Sequence, residues 1–243
     1  MIQNKNIKLT LVDEVTSTND VIKKYALNGA DDLTAVHANI QTQGRGRRGR
    51  TWATIPNQSM ACSILVRGDN FVHLPLITAL AVFQTVKEYI SGAEIKWPND
   101  VLVNGKKISG ILVERHTDKD QGFYIVGVGL NVGMANPEFW RGLSEATSLQ
   151  REGASVSLEE VIKKFCDYFS QILTVYKTEG WEGFIASTYV KNCGSIGKNV
   201  RWINDGKEIK GIAQSIDSHG TLLLKLEDAT IIKVLSGDII KGA

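Results

Sequence analysis

With 243 residues, 43% hydrophobic and 22% charged, the chain has the make-up of a globular protein with room for one large domain and a smaller one. A formal charge of only +2 excludes a long basic surface for a polyanion, and the longest apolar stretch, residues 74–83, is too short to span a bilayer. Three scattered cysteines, four scattered histidines and a polar amino terminus without a signal core exclude metal-finger spacing and predict a cytoplasmic protein with reduced thiols.

In chain order, Ser17 with Asp20 has capping-box spacing and predicts a helix that buries Val21, Ile22, Tyr25 and Ala26 and stops near Gly29. Apolar, strand-like runs follow at 33–38 and 60–66. Residues 74–91 read as a second helix, with Pro75 in its first turn and Gly92 ending it. Residues 101–103 and 107–113 pair as strands across Asn104-Gly105, a strong hairpin signal. A glycine-interrupted apolar run predicts another strand over 123–132. Ser157 and Glu160 open a long amphipathic helix carrying Val161, Phe165, Phe169, Ile172 and Tyr176 on one side. Beyond about Lys191, short strands at 200–203, 208–216, 221–226 and 231–234 alternate with turns such as Asp205-Gly206 and His219-Gly220. They predict a small all-β barrel that packs on the main unit, because it holds too little apolar surface to stand alone.

Four segments carry candidate chemistry. Gly44 to Arg50 reads Gly-Arg-Gly-Arg-Arg-Gly-Arg, between the first two strand runs. Its guanidiniums offer forked donors that fit phosphate or carboxylate oxygens, and the remaining residues sum to −2 once these four cations are taken from +2. Positive potential concentrated at one loop favours a compact anionic ligand; an RNA-binding tail of similar composition would normally sit in a low-complexity terminus. Lys96, Trp97, Pro98, Asn99 and Asp100 crowd a cation, an amide and a carboxylate at the hairpin entrance, where a plain polar turn is the simpler alternative. Lys107 precedes Ile108, Ser109 and Gly110, and Gly110 marks a close approach to the backbone. Gly127, Gly129 and Asn131 end the last long strand; a β-bulge alone would also explain such glycines.

Together with Thr16-Ser17-Thr18-Asn19, and in this order along essentially the whole chain, these segments resemble the biotin–protein ligases. The resemblance implies an α+β catalytic unit over 1–190, a mixed, largely antiparallel sheet with flanking helices like that of class II synthetases and lipoate ligases, and a carboxy-terminal SH3-like β-barrel over 191–243. It implies that biotin and ATP, with Mg2+, condense to biotinyl-5′-adenylate. Biotin then passes to one lysine of a biotin carboxyl carrier protein, the acceptor domain of acetyl-CoA carboxylase.

By that resemblance Ser17, Thr18, Asn19, Gln41, Arg45, Gly46, Arg47, Lys107 and Gly110 contact biotin. Arg45, Arg47, Arg48, Trp52, Asn99, Lys107, Gly129 and Asn131 contact ATP or the adenylate, with Gly127 and Gly129 leaving room. Lys107, Arg45, Arg47 and Asp100 are the catalytic set, and Asp100 either helps bind Mg2+ or orients the incoming amine. The 44–50 loop is expected to be mobile without ligand and to close over the adenylate. A second covering loop is expected within 133–153, where Pro137, Trp140 and Arg141 give no clear match. Sixteen residues precede Ser17, so the expectation is a ligase without a DNA-reading domain or repressor activity, without membrane attachment, and either monomeric or homodimeric. The nearest alternative is a lipoate–protein ligase, which lacks the arginine string; a non-catalytic RNA- or nucleotide-binding module would leave Lys96 to Asp100 and Lys107 without a purpose.

Overall fold

The computed structural model describes residues 7–133, 144–204, 206–235 and 237–241. Seven strands form one sheet: β1 Lys8–Val15, β2 Thr34–Gln41, β3 Ser59–Arg67, β4 Ala93–Lys96, β5 Asp100–Val103, β6 Lys106–Asp118 and β7 Gln121–Asn131. Their order is β1-β2-β3-β7-β6-β5-β4, with β1 parallel to β2 and every other neighbour antiparallel.

β3 is a continuous buried run because both faces of the sheet are covered there. Cys62, Ile64 and Val66 enter the large core, whereas Leu65 packs under helix α1 (Thr18–Leu27) with Ile22, Ala26, Phe123 and Ile125. The α1 face of the sheet is only partly covered, and the uncovered part carries Gly127 and Gly129 of β7.

On the other face lies α2 (Leu74–Lys87), apolar all round because it is sandwiched between the sheet and α3 (Leu158–Glu179). It stops short of the expected Ser91, since the N–H groups of Tyr89 and Ile90 both turn back to Val86 O and tighten the last turn. The predicted capping box at Ser157 and Glu160 is formed. Ile172 is only half-buried, and Phe165, Phe169 and Leu173 fill the α2 contact instead. Replacing the fully buried Phe165 by Ala should cost about 3–5 kcal/mol in urea unfolding; a loss below about 1 kcal/mol would contradict this packing.

Ser17 is the N-cap of α1, yet its side chain makes no capping bond, and Asp20 points to Arg45 instead of closing the expected box. Tyr25, expected in the core, is exposed, and Val21 is half-buried. Strands β1 and β4 and the short helix α4 (Phe184–Asn192) are additions to the sequence reading. β1 is a charged edge strand, and β4 has four residues, so neither has a clean alternation to read.

The carboxy-terminal unit is a five-stranded antiparallel sheet, β8 Asn199–Asn204, β9 Lys207–Ile216, β10 Leu222–Lys225, β11 Ile231–Val234 and β12 Asp238–Lys241, in the order β11-β10-β9-β8-β12. It corrects the expected barrel in two ways. A fifth strand, β12, pairs with β8, and the sheet is not closed among the described residues, since β11 and β12 are its edges. The five strands are consistent with an SH3-like unit, and its Val200, Ala213, Leu222, Leu224, Val234 and Ile239 merge with the large core as expected. Trp97 Nε1 donates to Gly220 O at 3.0 Å across that junction. Cys62, Cys166 and Cys193 are buried and free, and burial pushes the Cys166 thiol up to about 12, so it is unreactive. No helix among the described residues is long and apolar enough to cross a membrane.

Candidate active site

A cavity of about 340 Å³ opens on the uncovered part of the α1 face, within the size range of small-molecule sites. Its wall joins the start of α1, the end of β2, the arginine loop, the β5–β6 region and the end of β7. Ser17, Thr18 and Asn19 are buried at one end. Gln41 Oε1 accepts the Thr18 N–H at 2.8 Å, with Thr18 Oγ1 3.0 Å away. Ser63, fully buried on the α1 face of β3, stands 2.7 Å from Thr18 Oγ1 and 2.6 Å from Asn19 Oδ1, and Asn19 Nδ2 donates to Glu114 Oε2 at 2.7 Å.

The arginine loop closes on itself: Gly46 N donates to Arg50 O at 2.7 Å and Trp52 N to Gly44 O at 2.9 Å. Its four guanidiniums then diverge. Arg45 forks onto Asp20 at 2.7 and 2.8 Å, a bond that raises the arginine's affinity for its proton and lowers the Asp20 carboxyl below its usual range. Arg47 is half-buried and donates to Asn99 Oδ1 at 2.7 Å; burial pushes its guanidinium down from the ordinary value, opposed by Asp238 and Asp100. Arg48, at φ 57°, turns away from the cavity and lies 3.8 Å from Asp238 of β12. Arg50 donates to the same carboxylate at 2.7 Å. The loop is thus spread between two jobs, with Arg45, Arg47 and Arg50 lining the cavity while Arg48 and Arg50 also hold the small sheet through Asp238.

Lys107 Nζ pairs with Asp100 at 2.7 Å and lies 5.9 Å from the centre of the Trp52 ring. Backbone bonds of Lys107 to Glu145 and Thr147 clamp the strand here. Asn131 Nδ2 donates to Thr147 O at 2.9 Å.

Gly127 and Gly129 are needed for a reason that the sequence does not reveal. A Cβ at Gly127 would meet Asn19 Oδ1 at 2.3 Å, and one at Gly129 would meet the Trp52 ring at 2.1 Å. The room they leave is taken by two side chains of the site itself. Trp52 Nε1 is buried against Gly129 without a hydrogen-bond partner among the described residues.

Of the residues expected from sequence, Ser17, Thr18, Asn19, Gln41, Arg45, Gly46, Arg47, Trp52, Asn99, Lys107, Gly110, Gly127, Gly129 and Asn131 all line this one cavity. Asp100 stands behind Lys107, and Arg48 does not line the cavity. Trp140, with Pro137 and Arg141, lies outside the described residues, but Ala146 from the same 133–153 segment reaches the wall. Sequence reasoning passed over Arg50 and Thr51 of the loop, over Ala53, Ile111, Leu112 and Val128, which supply apolar wall, and over Asp20, Ser63 and Glu114. Only the adjacency of Asp20 to Asn19 was a signal for the last group; Ser63 and Glu114 meet the site through sheet pairing between distant segments.

Residues 11–131 match the Biotin/lipoate A/B protein ligase family, and residues 195–242 match the Biotin protein ligase C terminal domain. The Bifunctional ligase/repressor BirA of Bacillus subtilis is 34% identical over 245 residues, covering 95% of this chain and 73% of that protein. The Biotin–[acetyl-CoA-carboxylase] ligase of Mycobacterium tuberculosis is 33% identical over 245 residues, covering 96% and 88%. The chain belongs to the biotin protein ligase family.

The fold agrees with that membership. A biotin protein ligase from Aquifex aeolicus, solved in complex with biotin and ATP, superposes with a TM-score of 0.83 at 29% identity, covering 98% of this chain and all of that one. Within the biotin protein ligase fold, the cavity is where the amino-terminal family match supplies its polar residues, from Ser17 to Asn131. Asp238, the partner of Arg48 and Arg50, belongs to the carboxy-terminal match, so the arginine loop bridges the two matched regions.

Proposed function

We propose that this chain activates biotin with ATP and transfers the biotinyl group to a lysine of a biotin carboxyl carrier domain. The observation that carries the reading is the meeting of Arg45, Arg47 and Lys107 at one cavity whose other end is neutral, polar and buried. A molecule with a neutral hydrogen-bonding head and an acidic tail fits that polarity.

In the first step a biotin carboxylate oxygen attacks the α-phosphorus of ATP. The bond to the bridging oxygen breaks and pyrophosphate leaves with the electron pair. Two anions must approach, and fixed cations at the meeting point lower that barrier. Lys107 is the point charge assigned to the α-phosphate and the biotin carboxylate, Arg47 to the phosphate, and Arg45 to the carboxylate once it leaves Asp20. Ser17, Thr18, Asn19 and Gln41 take the ureido head. Trp52, Asn99, Gly129 and Asn131 take the nucleotide side.

No cluster of three or more His, Cys, Asp or Glu among the described residues could hold a metal alone. Magnesium needs only one or two carboxylates beside phosphate oxygens, so Asp100 fits it, and the ion would supply further charge neutralisation. In the second step the carrier amine attacks the biotinyl carbonyl carbon, AMP leaves, and the amine loses its proton. The buried thiols accord with a cytoplasmic setting.

Biotin-dependent and lipoate-dependent exchange of labelled pyrophosphate into ATP tests the reading. Exchange with biotin alone is expected; exchange with lipoate alone, or with neither acid, would overturn it. Gly129→Val should drive the Trp52 ring out of its seat and raise the KM for biotin and ATP at least about tenfold, the cost of overpacking a filled site. Unchanged KM values would show that the ring can move freely.

A further inference from the structure

Ser17 and Asp20 stand three residues apart, the spacing of a capping box, yet the box at the start of α1 is open. Ser17 has the extended backbone of an N-cap, φ −155° and ψ 136°, but its side chain makes no capping bond. The Asp20 carboxylate, which would close the box from the other side, is forked onto Arg45 at 2.7 and 2.8 Å. Arg45 lines the cavity and Asp20 does not. The empty site thus keeps a carboxylate of its own on the guanidinium assigned to the ligand's acid tail.

Paired in this way, Arg45 brings little net charge to the cavity, because opposite charges 2.7 Å apart cancel at longer range. The guanidinium keeps unused N–H groups while paired. A tail carboxylate and an α-phosphate that reached them would meet Asp20 as a third anion. Release of Asp20 avoids this and restores a full positive charge where the two ligand anions must meet. Release costs little. The Arg45 and Asp20 side chains are 40% and 39% exposed, and exposed ion pairs are weak. Asp20 lies in the first turn of α1, where the positive end of the helix favours a carboxylate, and the ammonium groups of Lys23 and Lys24 attract it as well. The Ser17 N–H is the new partner that capping-box spacing supplies.

We propose that Asp20 is a placeholder for the ligand's carboxylate: it holds Arg45 while the site is empty, yields it to the acid tail, and turns back to cap α1 at Ser17. The site thereby responds to the charge of the tail. The start of α1, which carries Ser17, Thr18 and Asn19 into the cavity, tightens as the tail docks. The inference rests on the biotin reading above, which supplies the acid tail. A fixed support that merely aimed Arg45 would give the opposite result when its charge is removed.

Calorimetric titration without ATP tests the proposal, with biotin and its alcohol analogue (CH2OH in place of the carboxylate) added to wild type, D20N, R45Q and D20N/R45Q. D20N should bind biotin about fivefold more tightly, the scale of an exposed ion pair that no longer competes, and the alcohol within about twofold of wild type. Beside R45Q the effect of D20N should vanish, which separates competition for Arg45 from the long-range loss of a negative charge. Weaker or unchanged biotin binding in D20N, an equal gain for both ligands, or a gain that persists beside R45Q would overturn the proposal. If D20N fails to fold, D20A takes its place under the same outcomes. The capping half is read in the wild type: the Ser17 amide hydrogen should exchange at least about threefold more slowly with biotin bound than with the alcohol bound. Equal exchange with both ligands would overturn the handover. A wild type that binds neither ligand overturns the function reading together with this one, whereas biotin binding with any of the contrary results above overturns the proposal alone.

Discussion

Lys107→Ala should reduce biotin-dependent pyrophosphate exchange by about 10³-fold, with little change in the urea unfolding midpoint. The side chain is about a third exposed, so its loss removes little buried surface. Its charge, in contrast, sits where a carboxylate and a phosphate must meet. Asp100 at 2.7 Å and the Trp52 ring hold the ammonium in place before substrate arrives, so no reorganisation is needed in the transition state. Lys107→Arg should fail almost as badly, because a planar fork cannot occupy the site of a compact ammonium against Gly110 and Trp52. Exchange within tenfold of wild type in Lys107→Ala would remove this residue from the chemistry.

Arg47→Gly should speed the escape of the adenylate by about 10²-fold in stopped-flow release, with a smaller effect on its formation. Arg47 is the half-buried member of the arginine string, and its bond to Asn99 Oδ1 ties the loop to the β5 side of the cavity. Asn99 is anchored in turn, donating to Ile111 O at 3.0 Å, so the tie ends on a rigid strand. Glycine removes both the tie and a phosphate contact and loosens the backbone. The freed mixed anhydride would then react with exposed amines in solution, and labelling of unrelated proteins should rise in parallel. A release rate equal to that of wild type would show that closure does not depend on this side chain.

Features written in a few consecutive residues were legible. Asn104-Gly105 gave the β5–β6 hairpin, Ser157 with Glu160 gave the start of α3, and the arginine string marked one wall of the cavity. The same local logic failed at α1, where Ser17 and Asp20 have capping-box spacing but Asp20 is drawn to Arg45, twenty-five residues away. Long-range pairing also decides the fate of Arg48 and Arg50, whose partner Asp238 lies in a four-residue strand too short to announce itself. The glycines of β7 were visible as close approaches, but not what approaches them, because Trp52 and Asn19 arrive from separate segments. Glu114 and Ser63 touch the site only through the register of β6 and β3 against β7.

Transfer to a carrier domain tests the central claim most directly. Purified protein, ATP, magnesium and biotin are incubated with a biotin carboxyl carrier domain, and covalent label is read with streptavidin and by mass. The account predicts one biotinyl group on a single carrier lysine, dependent on both ATP and biotin and lost when that lysine is replaced by arginine. A carrier that stays unlabelled under these conditions, or is labelled without ATP, would contradict it.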